Sequence, residues 1–274
     1  GSAENPEIVF LHANAFPPEC YSPLLENLSK KFTVICPLFR PLWNPPAGIS
    51  DIKDWTPLLQ NTVQFLESKY PKNDVFVLGH SLGGNIGFRL CLEYPELVKS
   101  AILLDPILFP KNMIFFWQFI QWTKLGFKIH PMINASKNQR LNYPSFNEMY
   151  DRYRTKKIFR RISDSNLKEL IKGLTREKSD GGVELCFPKD WELRIYQAGM
   201  IADVEIWNRI YNLNRDIYIF HAEYTHAPTE KVMKKVSSAS PLIITEILNG
   251  FSHFFPFEIP EKVEKIVKEL FKNH

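Results

Sequence analysis

Val75-Phe-Val-Leu-Gly-His-Ser-Leu-Gly-Gly-Asn-Ile-Gly87 is a short apolar run that breaks on a Gly-x-Ser-x-Gly pentapeptide, Gly79 to Gly83, and then turns helical. In that context Ser81 is a candidate nucleophile. A serine at the tip of a sharp strand-to-helix turn is pushed out of the sheet with a helix N-terminus behind it, and glycines on either side keep neighbouring side chains clear of the tight backbone. A bare pentapeptide also arises by chance, so the flanking strand and helix signals carry as much of the reading as the letters.

Outward from the elbow, Ile8 to Leu11 and Phe32 to Cys36 read as buried strands, with a helix opened by Ser22-Pro23 between them that carries Leu24, Leu25 and Leu28 on one face. Pro37 to Pro46 is a loop. Asp54 caps a helix whose Trp55, Leu58, Leu59, Val63 and Leu66 follow the helical period. After the elbow helix, Ser100 to Leu104 is a strand ending on Asp105-Pro106, and strand signals resume only at Ile217 to Phe220 and Leu242 to Leu248. Helices are predicted over Thr229 to Val236 and Pro260 to Phe271. Apolar strands alternating with amphipathic helices predict an α/β fold, a mostly parallel central sheet with helices on both faces. Residues 107–210 break that rhythm with aromatic, helix-like segments (Met113 to Trp122, Trp191 to Ile201) and little strand signal. The expected division is a core of residues 1–106 and 211–274, with 107–210 inserted as a mainly helical cap or lid over the C-terminal edge of the sheet, where ligands enter.

The chain has 274 residues, 45% apolar and 23% charged, enough to bury a full core. A net charge of +4 is too mild to argue for nucleic acid, and none is expected as a partner. The 21 phenylalanines favour a large aromatic core or an apolar ligand. Cys20, Cys36, Cys91 and Cys186 are widely spaced, match no zinc or redox pattern, and read as buried thiols of a reducing compartment; no metal or cofactor is expected. No apolar run is long enough to cross a bilayer and no signal-peptide pattern precedes the first strand, so the expectation is a cytoplasmic location, although Gly1-Ser2 resembles a cloning remnant.

A serine hydroxyl needs a base, an orienting acid and an oxyanion hole. In Asn249-Gly-Phe-Ser-His-Phe-Phe-Pro-Phe-Glu258, His253 follows the last strand in a glycine-bearing loop, placed to take the Ser81 proton and return it to a leaving group. His12, His80, His130, His221, His226 and His274 lack that placement, and none forms a spaced metal pair.

This order of elements resembles the α/β-hydrolase superfamily over the whole chain apart from the insertion. His12-Ala-Asn-Ala-Phe16 is similar to the family's His-Gly-x-x oxyanion loop, with Ala13 where glycine is usual, so the backbone there must tolerate a β-carbon. The resemblance implies that the backbone amides of Asn14 and Leu82 form the oxyanion hole; the Asn14 side chain is either a further donor or a turn residue. The commonest family layout puts the acid at Thr225, which has no carboxylate. Two substitutes exist. Glu223 stands two residues earlier, and Asp105 ends the strand after the elbow helix, where Ile102-Leu-Leu-Asp105-Pro-Ile resembles the acid-bearing segment of certain haloalkane dehalogenases. A carboxylate directly after a buried strand demands partners, which favours Asp105, with Glu223 the runner-up.

Arg152, Arg154, Lys156, Lys157, Arg160 and Arg161 crowd one stretch of the proposed cap, either as a solvated face or as a dock for an acidic carrier protein, a phosphate-bearing thioester or a membrane surface. Phe115, Phe116, Trp117 and Phe119 are assigned to core packing, with an acyl pocket or lipid contact as the alternative. The expectation is therefore a serine esterase acting through Ser81, His253 and Asp105 on an ester with an apolar acyl or alcohol part. Thioesterase, lactonase and carbon–carbon hydrolase chemistry use the same groups, and a non-catalytic ligand-binding protein on the same scaffold is the alternative of another class.

Overall fold

The computed structural model describes residues 5–44, 48–70, 74–122, 133, 136–199, 201, 203–225 and 228–271. Gly1-Ser2, the end of the 37–46 loop, Met200, His130, His226 and His274 lie outside them. In chain order the first half runs β1 (Glu7–Leu11), α1 (Ser22–Leu28), β2 (Thr33–Ile35), α2 (Thr56–Lys69), β3 (Val75–His80), α3 (Leu82–Glu93), β4 (Val98–Leu104) and α4 (Lys111–Trp122). Then come β5 (Asn142–Tyr143), α5 (Phe146–Arg154), α6 (Asp164–Leu174), β6 (Thr175–Glu177), β7 (Val183–Leu185), α7 (Lys189–Ala198) and α8 (Asp203–Arg209). The chain returns through β8 (Asp216–Tyr224), α9 (Glu230–Ser237), β9 (Ile243–Ser252), α10 (Phe255–Glu258) and α11 (Pro260–Phe271).

Six strands form one sheet in the order β2-β1-β3-β4-β8-β9, each pair parallel. The apolar runs read from the sequence are these strands, and the fold is the expected mostly parallel sheet clothed by helices. Side chains alternate across it. In β1, Val9 and Leu11 join the cluster that contains Leu58, Leu59 and Leu66 of α2, while Ile8 and Phe10 join the cluster containing Leu24 and Leu28 of α1 and Val263 and Val267 of α11. Central β3 is buried on every residue, which is why it lacks any polar alternation.

The segment between β4 and β8 joins both clusters. Trp191, Ile195, Ile206 and Trp207 pack into the first, and Tyr143, Met149, Tyr153, Phe159, Leu167 and Leu170 into the second. It is also less purely helical than expected, since β5, β7 and β6 form a three-stranded antiparallel sheet. Strands of two or three residues are too short to display alternation, and the Ser179-Asp-Gly-Gly182 turn between β6 and β7 was their one local trace. Among the described residues no helix is long and apolar enough to cross a membrane. The four cysteines are free, with Cys20 and Cys91 buried and Cys36 and Cys186 partly so.

Helix α6 lies against the short turn Pro18–Tyr21, and the approach is close because Gly173 has no side chain. A β-carbon there would stand 2.2 Å from the Cys20 amide nitrogen. Replacing Gly173 by alanine is expected to cost about 1–3 kcal/mol of stability through overpacking. Urea denaturation of the two proteins checks this, with an unchanged midpoint contradicting the close seat.

Candidate active site

The pairing of β3 with β4 puts His80 opposite Leu104, so the next residues, Ser81 and Asp105, emerge side by side from the C-terminal ends of adjacent strands. Both leave in the left-handed region, Ser81 at φ 57° and Asp105 at φ 43°; with Ala15 at φ 65° they are the non-glycine residues so placed among those described. Each such backbone costs on the order of 1–3 kcal/mol, and here all three meet at one edge of the sheet. The surrounding hydrogen bonds hold them there. Ser81 N–H donates to the Leu104 carbonyl (3.0 Å), its own carbonyl accepts from Asn85 (3.0 Å) and Ile107 (3.2 Å), and Asp105 N–H donates to Phe220 (2.7 Å). The turn closes only because the motif glycines are bare: a β-carbon on Gly83 would lie 2.0 Å from the Leu11 carbonyl oxygen, and one on Gly79 2.4 Å from that of Gly83.

His253 reaches both residues. Its Nε2 lies 3.0 Å from Ser81 Oγ and its Nδ1 2.6 Å from Asp105 Oδ2. The Asp105 carboxylate is fully buried, and its other oxygen accepts the Ala222 amide at 2.9 Å. Two donors therefore offset the desolvation of the carboxylate. Because Oδ2 accepts, His253 Nδ1 bears the hydrogen and Nε2 faces Ser81 as the acceptor.

A bulge brings the histidine in. Ala222 pairs with Leu248 but Tyr224 pairs with Ser252, so β9 spends two more residues than β8 over that step and swings the chain inward before His253. Gly250, at φ 85°, is in this bulge. Glu223 Oε2 accepts the Gly250 N–H at 2.6 Å, and Arg161 donates to the Gly250 carbonyl at 2.9 Å. Glu223 is thus bonded to the bulge, while Asp105 meets the imidazole.

On the opposite side lies the 12–16 loop. Ala13 is buried without unusual backbone, and the left-handed turn falls instead on Ala15, with Phe16 N–H returning to the Ala13 carbonyl at 3.3 Å. His12 Nε2 accepts from Phe39 N–H (3.4 Å), and Nδ1–H donates to the Ala13 carbonyl (2.8 Å). Burial pulls its pKa down to about 4, so the ring stays neutral and pins the loop. The Ala13 N–H is committed to the Tyr21 hydroxyl at 3.3 Å. Leu82 opens α3, where a helix amide has no intrahelical acceptor. The Asn14 side chain donates to the Glu192 carbonyl of α7 at 3.2 Å, which makes it a tether to the inserted segment.

That segment is also tied to the elbow helix. Asn85, one turn past Ser81, donates to the Ile107 carbonyl (2.8 Å) and to buried Asp203 of α8 (2.5 Å); Asp203 also accepts Phe109 N–H at 2.6 Å. No sequence signal marked this group, because the partners lie far apart in the chain.

Half of the cationic run is occupied. Arg154 donates to the Ile162 carbonyl (2.7 Å), to that of Phe159 and to Asp164 (3.1 Å). Lys156 stands 3.8 Å over the Tyr153 ring and Arg161 covers Tyr224, while Arg152, Lys157 and Arg160 are exposed. The aromatic stretch corrects its expectation: Trp117 is buried, but Phe115, Phe116 and Phe119 are 61%, 62% and 57% exposed. Helix α4 buries the face of Ile114, Trp117 and Ile120, so the dense aromatic cluster is divided between a buried face and an exposed one.

Over residues 46–176 the chain matches the family model described as Hydrolase_4, serine aminopeptidase, S33. No curated protein sequence matches it. Among solved structures it is similar to E-2-(acetamidomethylene)succinate hydrolase, at 15% identity, over 98% of this chain and 92% of that one, with a TM-score of 0.76. A thioesterase domain from the curacin biosynthetic pathway is similar at 12% identity, 98% and 93% coverage and a TM-score of 0.75. An esterase of Mycobacterium tuberculosis is similar at 17% identity, 98% and 86% coverage and a TM-score of 0.70. At these identities the likeness is one of fold.

Burial pushes the Asp203 carboxyl up to about 7, only partly offset by its Phe109 and Asn85 donors. An unfolded aspartate titrates near 3.9, so the folded protein holds this proton more tightly. Its contribution to stability is full below pH 4 and is lost as pH rises towards 7, then levels off. Between pH 4.5 and 7.5 the wild-type protein is expected to lose more stability than Asp203→Asn. Urea midpoints at both pH values check this; parallel changes in the two proteins contradict it.

Proposed function

We propose that this chain, which carries the α/β-hydrolase fold, is a serine hydrolase that cleaves carboxylic esters with an apolar acyl or alcohol part through an acyl-enzyme on Ser81. The observation that carries the reading is the line of Ser81, His253 and buried Asp105, with the imidazole hydrogen-bonded on both nitrogens. The strained elbow supports it, since a serine held at φ 57° has no structural need to be there.

In this reading His253 Nε2 removes the Ser81 proton as Oγ attacks the ester carbonyl, and Asp105 holds the tautomer and stabilises the imidazolium that forms. The Asn14 and Leu82 amides stabilise the developing oxyanion, each worth about 3 kcal/mol in the transition state. The Ala13 amide is excluded from that role by its bond to Tyr21. His253 then protonates the departing alcohol, and as base it activates the water that frees the acid and restores Ser81. Phe16 and Phe254, with ring centroids 5.5 Å apart beside His253, supply the apolar surface that favours a greasy ester. Thioesters, lactones and carbon–carbon bonds next to a carbonyl would use the same groups, so leaving-group preference separates them.

A fluorophosphonate is expected to label the protein and to fail on Ser81→Ala; an unlabelled wild-type protein would favour a non-catalytic ligand-binding role. With p-nitrophenyl esters of increasing chain length beside acyl thioesters, turnover is expected to be highest for longer-chain oxygen esters. Asp105→Asn should lower kcat about 10⁴-fold. Glu223→Gln should lose far less, and the reverse ranking would move the acid to Glu223.

A further inference from the structure

We propose that Tyr21 and His80 are positioning residues for this chemistry, forming a directed hydrogen-bond relay that ties the oxyanion loop to the main chain of the base. The proposal rests on the reading of Ser81 as nucleophile and His253 as base. Ala13, Tyr21 and His80 are buried: Ala13 N–H lies 3.3 Å from the Tyr21 hydroxyl, that hydroxyl 2.7 Å from His80 Nδ1, and His80 Nε2 2.9 Å from the carbonyl oxygen of partly buried His253.

One atom sets the direction of every bond. The His253 carbonyl can only accept, so His80 Nε2 carries a hydrogen. Burial holds the His80 pKa well below its usual value, which leaves the ring with that single hydrogen and makes Nδ1 a bare acceptor. Tyr21 must then donate to Nδ1, and its oxygen is free to accept from Ala13. No member can be reversed without leaving a buried polar atom unpaired, so the relay has one state.

The relay joins the parts of the site that come from distant stretches of chain. Ala13 neighbours the proposed donor Asn14, His80 neighbours Ser81, and the last acceptor is the base's own carbonyl. The His253 side chain is about a quarter exposed, so burial does not fix its height over the elbow. Main-chain anchoring by His80 adds a second constraint to the one that Asp105 places on the ring. A shift of about 1 Å in such a group costs on the order of 100-fold in rate.

Two substitutions separate positioning from packing. The amide of glutamine reaches the place of Nε2 and can still donate to the His253 carbonyl, whereas that of asparagine reaches only the place of Nδ1 and can bond Tyr21 alone. Both lose the ring, so their packing losses are similar. His80→Asn is expected to slow fluorophosphonate labelling and kcat by about 10- to 100-fold with KM nearly unchanged, measured below the unfolding midpoint of each protein. H80Q should retain several times the H80N rate, and Tyr21→Phe, which removes the partner of His80 Nδ1 and of the Ala13 amide but leaves the bond to the His253 carbonyl, should fall between them. Equal rates for the asparagine and glutamine variants, or a loss expressed wholly in KM, would overturn the relay. If the wild-type protein were not labelled at all, the reading of Ser81 would fail instead.

Discussion

Two neighbouring parallel strands end at the same level, and the residue after each is held in a backbone region that side chains avoid. The opposition of His80 and Leu104 across β3 and β4 is what allows a hydroxyl and a carboxylate to emerge side by side. Everything else at that edge serves this arrangement. Bare glycines let α3 start against the end of β1, the β9 bulge swings an imidazole across both strand ends, and carbonyls of β4 and β8 accept the amides of Ser81 and Asp105. The strain is stored where three strands can jointly resist its release.

Much of this was legible before any coordinates. The inner strands β1, β3 and β4 announced themselves as apolar runs because a strand covered on both faces has few polar residues to hide it, and the elbow carried its glycines openly. The choice between Asp105 and Glu223 was not readable to the end, since it depends on which strand lies beside β3 and on a two-residue bulge that turns Glu223 onto a backbone amide. Tyr21 gave no signal at all. An aromatic residue in a short turn looks like core, and only its hydroxyl's position against His80 sets it apart. The six clustered cations looked like a surface, yet three of them close contacts inside the inserted segment or between it and the bulge. A cation read from sequence carries no information on whether its head group faces water or a carbonyl.

Two histidines flanking the site are kept neutral by burial and work as fixed donors and acceptors, while the third stays partly open to solvent. The same ring thus serves as scaffold when buried and, in the role proposed for His253, as a proton carrier when partly open. The inserted segment adds to the scaffold. Its tryptophans and tyrosines complete the packing on both faces of the sheet, so its helices are bound to the core by more than the few polar tethers at Asn14, Asn85 and Gly250.

The spacing of the three central residues along the chain has a consequence for how the protein comes into being. Ser81 and Asp105 lie 172 and 148 residues ahead of His253. During synthesis the strained elbow would emerge first, and the inserted segment next. The residue that completes the hydrogen-bonded line arrives only after β9 has added to the far side of β8. Contacts of such long range close slowly. On the proposed reading, a ribosome-bound chain carries Ser81 without His253 for most of its elongation, and the hydrolytic site stays incomplete until the last strand is paired.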